Sequence, residues 1–247
     1  MTVIGLGSNL LVRDGGVRGT VIVLHAALNT LELRDRLIYA EGGVASPKVA
    51  RFAATSGLAG AEFLAGIPGT IGGALAMNAG CYGGETWQFV ARAEVVTRGG
   101  NVEERLPSAY AIGYRSVRRV DGRVPDDIFC AAWFAFPQGE SRVARERIAD
   151  LLRWRIATQP LNLPNAGSVF RNPAGDHAAR LIERCGLKGY AVGGAQISEK
   201  HANFIVNRQG RAKAADIEAI IARVQEAVRE KTGVHLELEI RVIGEGA

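Results

Sequence analysis

Long hydrophobic runs, paired cysteines and a leader pattern are all missing from this 247-residue sequence. No apolar stretch approaches the ~18 residues that span a bilayer. The first residues show no basic stretch followed by an apolar core. The three cysteines, Cys81, Cys130 and Cys185, are odd in number and form no CxxC pair. That argues against a disulfide framework or a zinc site and for a reducing, cytoplasmic setting, away from the membrane. His25, His177, His201 and His235 share no metal-ligand spacing, so no metal is expected. Aromatics are few (eight Phe, five Tyr, three Trp) and the arginines are scattered, whereas a nucleic-acid track wants a dense basic stripe with interleaved aromatics. There is no internal repeat and no low-complexity tract.

What is present is apolar residue and glycine. The chain is 47% hydrophobic, enough for one large core or two modest ones. Its formal net charge of +5 suits a small anionic ligand. Many of the 31 glycines cluster, as they do where turns are tight or backbone approaches a ligand.

Periodicity gives an α+β pattern. Strands are expected at Thr20–Leu24, short and buried, and at Arg36–Gly43, the two arms of Ala91–Leu106 around Gly99-Gly100-Asn101, and Asp126–Pro137. A helix is expected from Ser46, as N-cap with Pro47 at N1, to a stop at Gly57. A second runs over Glu140–Pro160. The loop "QPLNLPNAG" marks a boundary, giving segments 1–157 and 158–247. Beyond it come a helix capped by Asp176 and stopped by Gly186, strands around a polar turn over Ala195–Asn207, and an amphipathic helix over Ala215–Gly233. The last element, Val234–Ile243, alternates. Val234, Leu236, Leu238, Ile240 and Val242 face one way; His235, Glu237, Glu239 and Arg241 face the other.

Two glycine clusters invite a ligand. "GLGSNLLVRDGG" (Gly5–Gly16) can turn backbone N–H groups towards an anion. "AGIPGTIGGALAMNAGCYGGE" (Ala65–Glu85) places Gly72 and Gly73 at the opening of a segment whose N–H groups could do the same. Neither is a GxGxxG fingerprint or a P-loop, and each alone is equally consistent with a compact loop. Both in one small α+β region favour a large or phosphorylated ligand. A third stretch, "GSVFRNP" (Gly167–Pro173), could offer a hydroxyl, a cation and an amide to one substrate. Read alone, a strand ended by Asn172-Pro173 is the simpler account. Arg115 in "AIGYRSVRR" reads alone as a solvated charge, and Glu237, Glu239 and Arg241 as a solvated strand face.

Taken together, "GLGSNLLVRDGG", "GLAGAEFLAGIPGTIGGALAMNAGCYGGE", "GYRS", "PNAGSVFRNP", "GLKGYAVGGAQISEKHANFIVN" and "GVHLELEIRVIGE" occur in the order seen in one family. The chain resembles the UDP-N-acetylenolpyruvoylglucosamine reductases, the MurB flavoenzymes, in their shorter form. The resemblance implies an FAD-binding domain like that of vanillyl-alcohol oxidase over 1–157, then a smaller α+β substrate domain over 158–247. It implies FAD and NADPH as cofactors and a cytoplasmic, monomeric enzyme of peptidoglycan precursor synthesis. That enzyme would reduce the enolpyruvyl ether of UDP-N-acetylglucosamine to UDP-N-acetylmuramate. Under this resemblance Gly5, Gly7, Ser8, Asn9 and Leu10 would hold the FAD pyrophosphate. Gly66, Ile67, Pro68, Gly69, Thr70, Gly72 and Gly73, with Asn78, Ala79 and Gly80, would run along its phosphates and isoalloxazine. No lysine stands in either loop, which fits phosphate held by backbone dipoles.

The resemblance makes Ser168 the proton donor, Arg115 the cation that steadies the developing enediolate, and Glu239 its partner at the same carboxyl. Alternation alone does not separate Glu239 from Glu237. Tyr114, Arg171, Asn172, Lys200, His201 and Asn203 would bind substrate. A βαβ-like lobe precedes "IGLGSNLL" in the family. The chain is expected to keep only that lobe's last strand and loop, to expose an apolar flank there and to retain FAD weakly. A nucleotide-sugar binder without redox chemistry, or another flavin oxidoreductase of the same fold, is the alternative.

Overall fold

The computed structural model describes residues 1–247, which fall into two compact units. The first comprises Met1–Leu6 and Thr20–Arg155; the second comprises Gly7–Gly19 and Ile156–Ala247. The chain leaves the first unit after β1 (Thr2–Ile4), gives β2 (Leu10–Val12) to the second, and returns at β3 (Val21–Val23).

The first unit is built on an antiparallel sheet ordered β4 (Leu31–Arg34), β5 (Leu37–Glu41), β12 (Ile128–Phe134), β8 (Val90–Val96), β9 (Val102–Arg105). β12 is central, and Phe129, Ala131, Ala132 and Phe134 along it are buried. The sequence reading does not anticipate β4, because its turn to β5 lacks glycine. Asp35 and Arg36 take φ 48° and 67° there, the signs of a type I′ turn.

Helices α1 (Ser46–Thr55), α2 (Ile71–Met77) and α3 (Ser141–Thr158) belong to this part of the chain. α1 corrects one expectation. Ala45, not Ser46, is the N-cap, and the Ser46 hydroxyl is fully buried with no hydrogen-bond partner. Gly57 stops the helix as expected, at φ 71°. Two hairpins, β6 (Gly80–Cys81) with β7 (Gly84–Glu85) and β10 (Tyr110–Gly113) with β11 (Ser116–Arg119), complete the unit. β1 and β3 form a separate parallel pair, and the strand expected to be buried is not: Val21, Ile22 and Val23 lie 40%, 39% and 49% exposed, because β3 pairs only with three-residue β1. An apolar flank is therefore uncovered there.

The second unit packs α4 (Ala178–Arg184) and α5 (Ala214–Thr232) against the antiparallel sheet β13 (Ala191–Val192), β14 (Ala195–Ile197), β15 (Ile205–Asn207). α5 buries Ile220, Ile221, Val224, Ala227 and Val228, one helical stripe, and ends at left-handed Gly233. α4 is capped by His177, not Asp176; the Asp176 carboxylate instead accepts the His177 N–H and pairs with Arg180.

The C-terminal stretch is not one strand. Residues 237–239 pair with 169–171, and only β16 (Arg241–Ile243) continues, parallel to β2. The alternation is real, with Leu236 and Ile240 buried, but the two halves have different partners. The β2–β16 pairing also explains why Gly7–Gly19 joins the second unit. Leu11 enters that unit's core, a burial worth about 1.5–3 kcal/mol.

Candidate active site

In the first unit, Gly5 lies against Thr70, the N-cap of α2. A Cβ on Gly5 would stand 2.4 Å from Thr70 Oγ1, so the glycine is required by close approach. The leading edge of the first glycine cluster thus meets the middle of the second. The N–H groups that open α2 are not equally available. Ile71 donates to Val44 O and Gly72 to Gly42 O, both at 2.9 Å. Gly72 is glycine because a Cβ would stand 2.8 Å from Phe129 O, not because a ligand needs its N–H. Gly73 is different. Its N–H has a 3.5 Å contact to Thr70 Oγ1, and a Cβ there would meet that oxygen alone, at 3.7 Å. The space beside Gly73 and the short side chains at Gly5 and Thr70 fit a phosphate approached by backbone. Gly69 O accepts the Ser46 N–H, and Ile67 is buried.

The segment after α2 is held from several sides. Asn78 is the left-handed C-cap of α2, at φ 46°, and is fully buried. Its Nδ2 donates to Glu85 Oε2 at 2.9 Å and to Gly113 O at 3.0 Å, and its Oδ1 accepts the Trp87 N–H at 3.1 Å. Both donors of the amide are thus engaged within the protein. Ala79 O accepts both the N–H and the hydroxyl of Thr86. Gly66 packs on Cys81 and Tyr82, where a Cβ would fall 2.6 and 2.5 Å from their side chains. Tyr82 holds φ 55° at the tip of the β6–β7 hairpin and donates its hydroxyl to Leu151 O in α3 at 2.9 Å. Burial pushes its phenol up to about 12 and keeps it a donor. Burial likewise raises the Cys81 thiol, which stays protonated at neutral pH.

Arg115 belongs to this arrangement. Tyr114 and Arg115 form the two-residue turn of the β10–β11 hairpin, closed by the Gly113–Ser116 pair. Only the second carries positive φ, at 50°, the sign pattern of a type II turn, in which glycine is the usual occupant. Arg115 Nη2 donates to Gly80 O at 2.8 Å and its guanidinium lies 5.1 Å from the Tyr114 ring. It is half-buried rather than a solvated surface charge.

In the second unit, strand pairing joins the backbone that follows Ser168 to the backbone that carries Glu239. Phe170 and Leu238 are opposed across an antiparallel bridge; Arg171 N–H donates to Glu237 O and Glu239 N–H to Val169 O. Val169 therefore faces Glu239, and Ser168 is one residue along. Asn9 fixes the same backbone: its Nδ2 donates to Glu239 O at 3.1 Å, and its own O accepts the Arg241 N–H. Glu239 is half-buried, whereas the Glu237 side chain is 72% exposed beside Arg171. The structure so separates two glutamates that alternation left equivalent. Gly7 opens the Asn9 loop at φ 71° with Leu10 N–H donating back to Gly7 O, and half-buried Ser8 lies between. Gly167, at φ 78°, donates its N–H to Asn165 Oδ1 and sets the turn before Ser168.

Asn203, expected to bind substrate, instead holds this strand. It is buried, accepts the Phe170 N–H at 2.9 Å and donates to Phe170 O at 2.8 Å. Its side chain acts as a missing strand on the free edge of residues 169–171. His201 stands just before it. Its Nδ1 accepts the Asn203 N–H at 3.3 Å, burial lowers its pKa, and its ring meets Phe204 edge-on at 4.8 Å. Lys200 gives its ammonium to Ile156 O. Asn172 Oδ1 accepts the Ala178 N–H at the start of α4. Arg171 is the least committed. Its nearest carboxylate, on Glu237, is 3.8 Å away, and its buried Nε has no partner.

Glu85 and Thr86, which hold Asn78 and Ala79, carry one local signal in the sequence, an acid closing a glycine-rich loop.

Residues 1–105 match the model of an FAD binding domain, and residues 159–243 that of the C-terminal domain of UDP-N-acetylenolpyruvoylglucosamine reductase. The protein of that name from Nitrosospira multiformis is 57% identical over 98% of this chain and 76% of its own length. The one from Thiobacillus denitrificans is 56% identical, over 98% and 78%. The crystal structure of the Thermus caldophilus reductase superposes with a TM-score of 0.83 at 36% identity, covering 97% of this chain and 84% of that one. The chain belongs to the UDP-N-acetylenolpyruvoylglucosamine reductase family.

Proposed function

We propose that this chain reduces the enolpyruvyl ether of UDP-N-acetylglucosamine to UDP-N-acetylmuramate, in peptidoglycan precursor synthesis, with FAD as bound cofactor and NADPH as reductant. The observation that carries this reading is the antiparallel register that sets Val169, the neighbour of Ser168 in the chain, opposite Glu239 and is fixed by Asn9 and Asn203. Family membership over nearly the whole chain supports it.

The glycine surface at Gly5, Thr70 and Gly73 would hold FAD through backbone, and the Gly7–Leu10 loop would hold its pyrophosphate. Bound there, FAD would supply hydride transfer between NADPH and the vinyl group of the substrate. The chain's own residues manage the charge and the proton. Hydride addition builds negative charge on the adjacent carbon and its carboxylate. Arg115, a half-buried cation on a hairpin turn, would stabilise that charge. Ser168 would deliver the proton to that carbon, drawing a replacement from water so that no alkoxide persists. Glu239 would orient the same carboxyl. Arg171, with its guanidinium barely engaged, is the natural partner for the nucleotide phosphates. The FAD-binding role is assigned to 1–157 and the substrate role to 158–247, apart from Gly7–Leu10. No helix is long and apolar enough to cross a membrane; a cytoplasmic monomer is part of the proposal. The test is substrate-dependent NADPH oxidation by flavin-loaded protein, with Ser168→Ala as the comparison.

A further inference from the structure

The β10–β11 hairpin is short, and three of its four β10 residues are exposed. Left alone, a two-stranded hairpin of this size is marginal. Yet its turn carries an arginine at φ 50°, where an L-residue is strained and persists only if its surroundings over-determine it. Two restraints near that turn do so. One is the bond of Arg115 itself to Gly80 O. The other is made by Asn78, whose amide ties Gly113 O, the residue that closes the turn, to Glu85 Oε2 and to the Trp87 N–H. Gly80 stands two residues after Asn78 and pairs with Glu85 in β6–β7. One buried amide therefore links both ends of the arginine's environment: the turn that carries it and the loop whose carbonyl receives it.

The base of the hairpin is anchored independently. The Asp127 carboxylate, with its side chain 3% exposed, accepts from Tyr110 at 3.2 Å and from Arg119 at 3.4 Å. The base is therefore fixed whatever happens at the tip, and Asn78 governs the tip.

We propose that Asn78, with Glu85 behind it, is a positioning residue for Arg115: it fixes where the guanidinium stands without touching substrate or cofactor. This rests on the reading of Arg115 as the cation that meets the substrate's developing charge.

Asn78→Asp is the informative change. It keeps the acceptor for Trp87 and a short side chain that tolerates left-handed backbone, but removes both donors. Misplacing a charge-stabilising group by about 1 Å lowers turnover by up to ~100-fold, so a loss in kcat of about 10- to 100-fold is expected, with KM for the enolpyruvyl substrate and flavin content near wild type and a lower melting temperature, because a buried carboxylate then faces Glu85. Glu85→Gln should keep kcat within about twofold, because its amide oxygen still accepts from Asn78. The double variant N78D/E85Q removes carboxylate repulsion if N78D folds poorly. It restores the 78–85 link but not the bond to Gly113 O, and its kcat should stay low.

The decisive comparison is made in the Arg115→Ala background. There N78D should change kcat by less than about twofold, because the group it positions is gone. An equal loss in both backgrounds, or wild-type kcat in both N78D and N78D/E85Q, overturns the proposal. Wild-type kcat in Arg115→Ala overturns the reading of Arg115 itself.

Discussion

Replacing Asn203 tests whether a buried amide can stand in for a strand. Phe170 presents its N–H and C=O on the side of residues 169–171 away from 237–239, and Asn203 satisfies both at 2.9 and 2.8 Å. Phe170 is 2% exposed and Asn203 4%, so water does not readily replace the amide. Asn203→Ala leaves two buried backbone groups unpaired. At about 1–3 kcal/mol for each, the expected loss is about 2–5 kcal/mol. Urea denaturation reads it as a lower midpoint at unchanged slope.

Asn203→Asp separates hydrogen bonding from packing. The new carboxylate still accepts from the Phe170 N–H, but its second oxygen faces Phe170 O and must carry a proton to donate. Its pKa in the fold therefore rises above the ~3.9 of an unfolded Asp. A group raised on folding stabilises fully below its unfolded pKa and loses that contribution as pH rises through the folded one. The deficit of Asn203→Asp against wild type should accordingly shrink as pH falls from 7 towards 4, while that of Asn203→Ala stays level. A loss below about 0.5 kcal/mol in Asn203→Ala, or a pH-independent deficit in Asn203→Asp, would refute the argument.

Two further predictions follow from strained and buried groups. Arg115→Gly should be more stable than Arg115→Ala by about 0.5–1 kcal/mol, since relief of left-handed backbone, ~1–2 kcal/mol, outweighs glycine's extra chain entropy; both should lose turnover alike, and thermal melts beside kcat measurements check this. Burial lowers the pKa of His201, with Glu183 and Lys188 the charged groups acting on it, so the unfolded chain binds more protons below about 6.5. Stability should fall as pH drops through that value, and the corresponding slope in a pH series of urea midpoints should flatten in His201→Asn.

Much of this architecture is legible in the sequence for local reasons. α5 shows its stripe and its terminal glycine, and the β8–β9 hairpin its Gly99-Gly100-Asn101 turn. Pairings between distant residues are not local. Nothing near Leu10–Val12 announces that its partner is Arg241–Ile243, and a boundary read from the local composition of 159–167 carries no sign of that pairing. The asparagines teach a related lesson. Sequence gives Asn78, Asn172 and Asn203 a chemical type but not a direction, and burial turns each towards backbone. Glu239 is the converse case: its equivalence with Glu237 ends only when Asn9 and the 169–171 strand are seen to hold its backbone.

The most direct test of the account is the turnover of Ser168→Ala. The variant should bind flavin and oxidise NADPH once as wild type does, since the proposed role of the Ser168 hydroxyl is at the substrate carbon alone. Formation of UDP-N-acetylmuramate should fall by about 10²–10⁴-fold, the usual worth of a positioned proton donor. Product formed at the wild-type rate by flavin-loaded Ser168→Ala would contradict it.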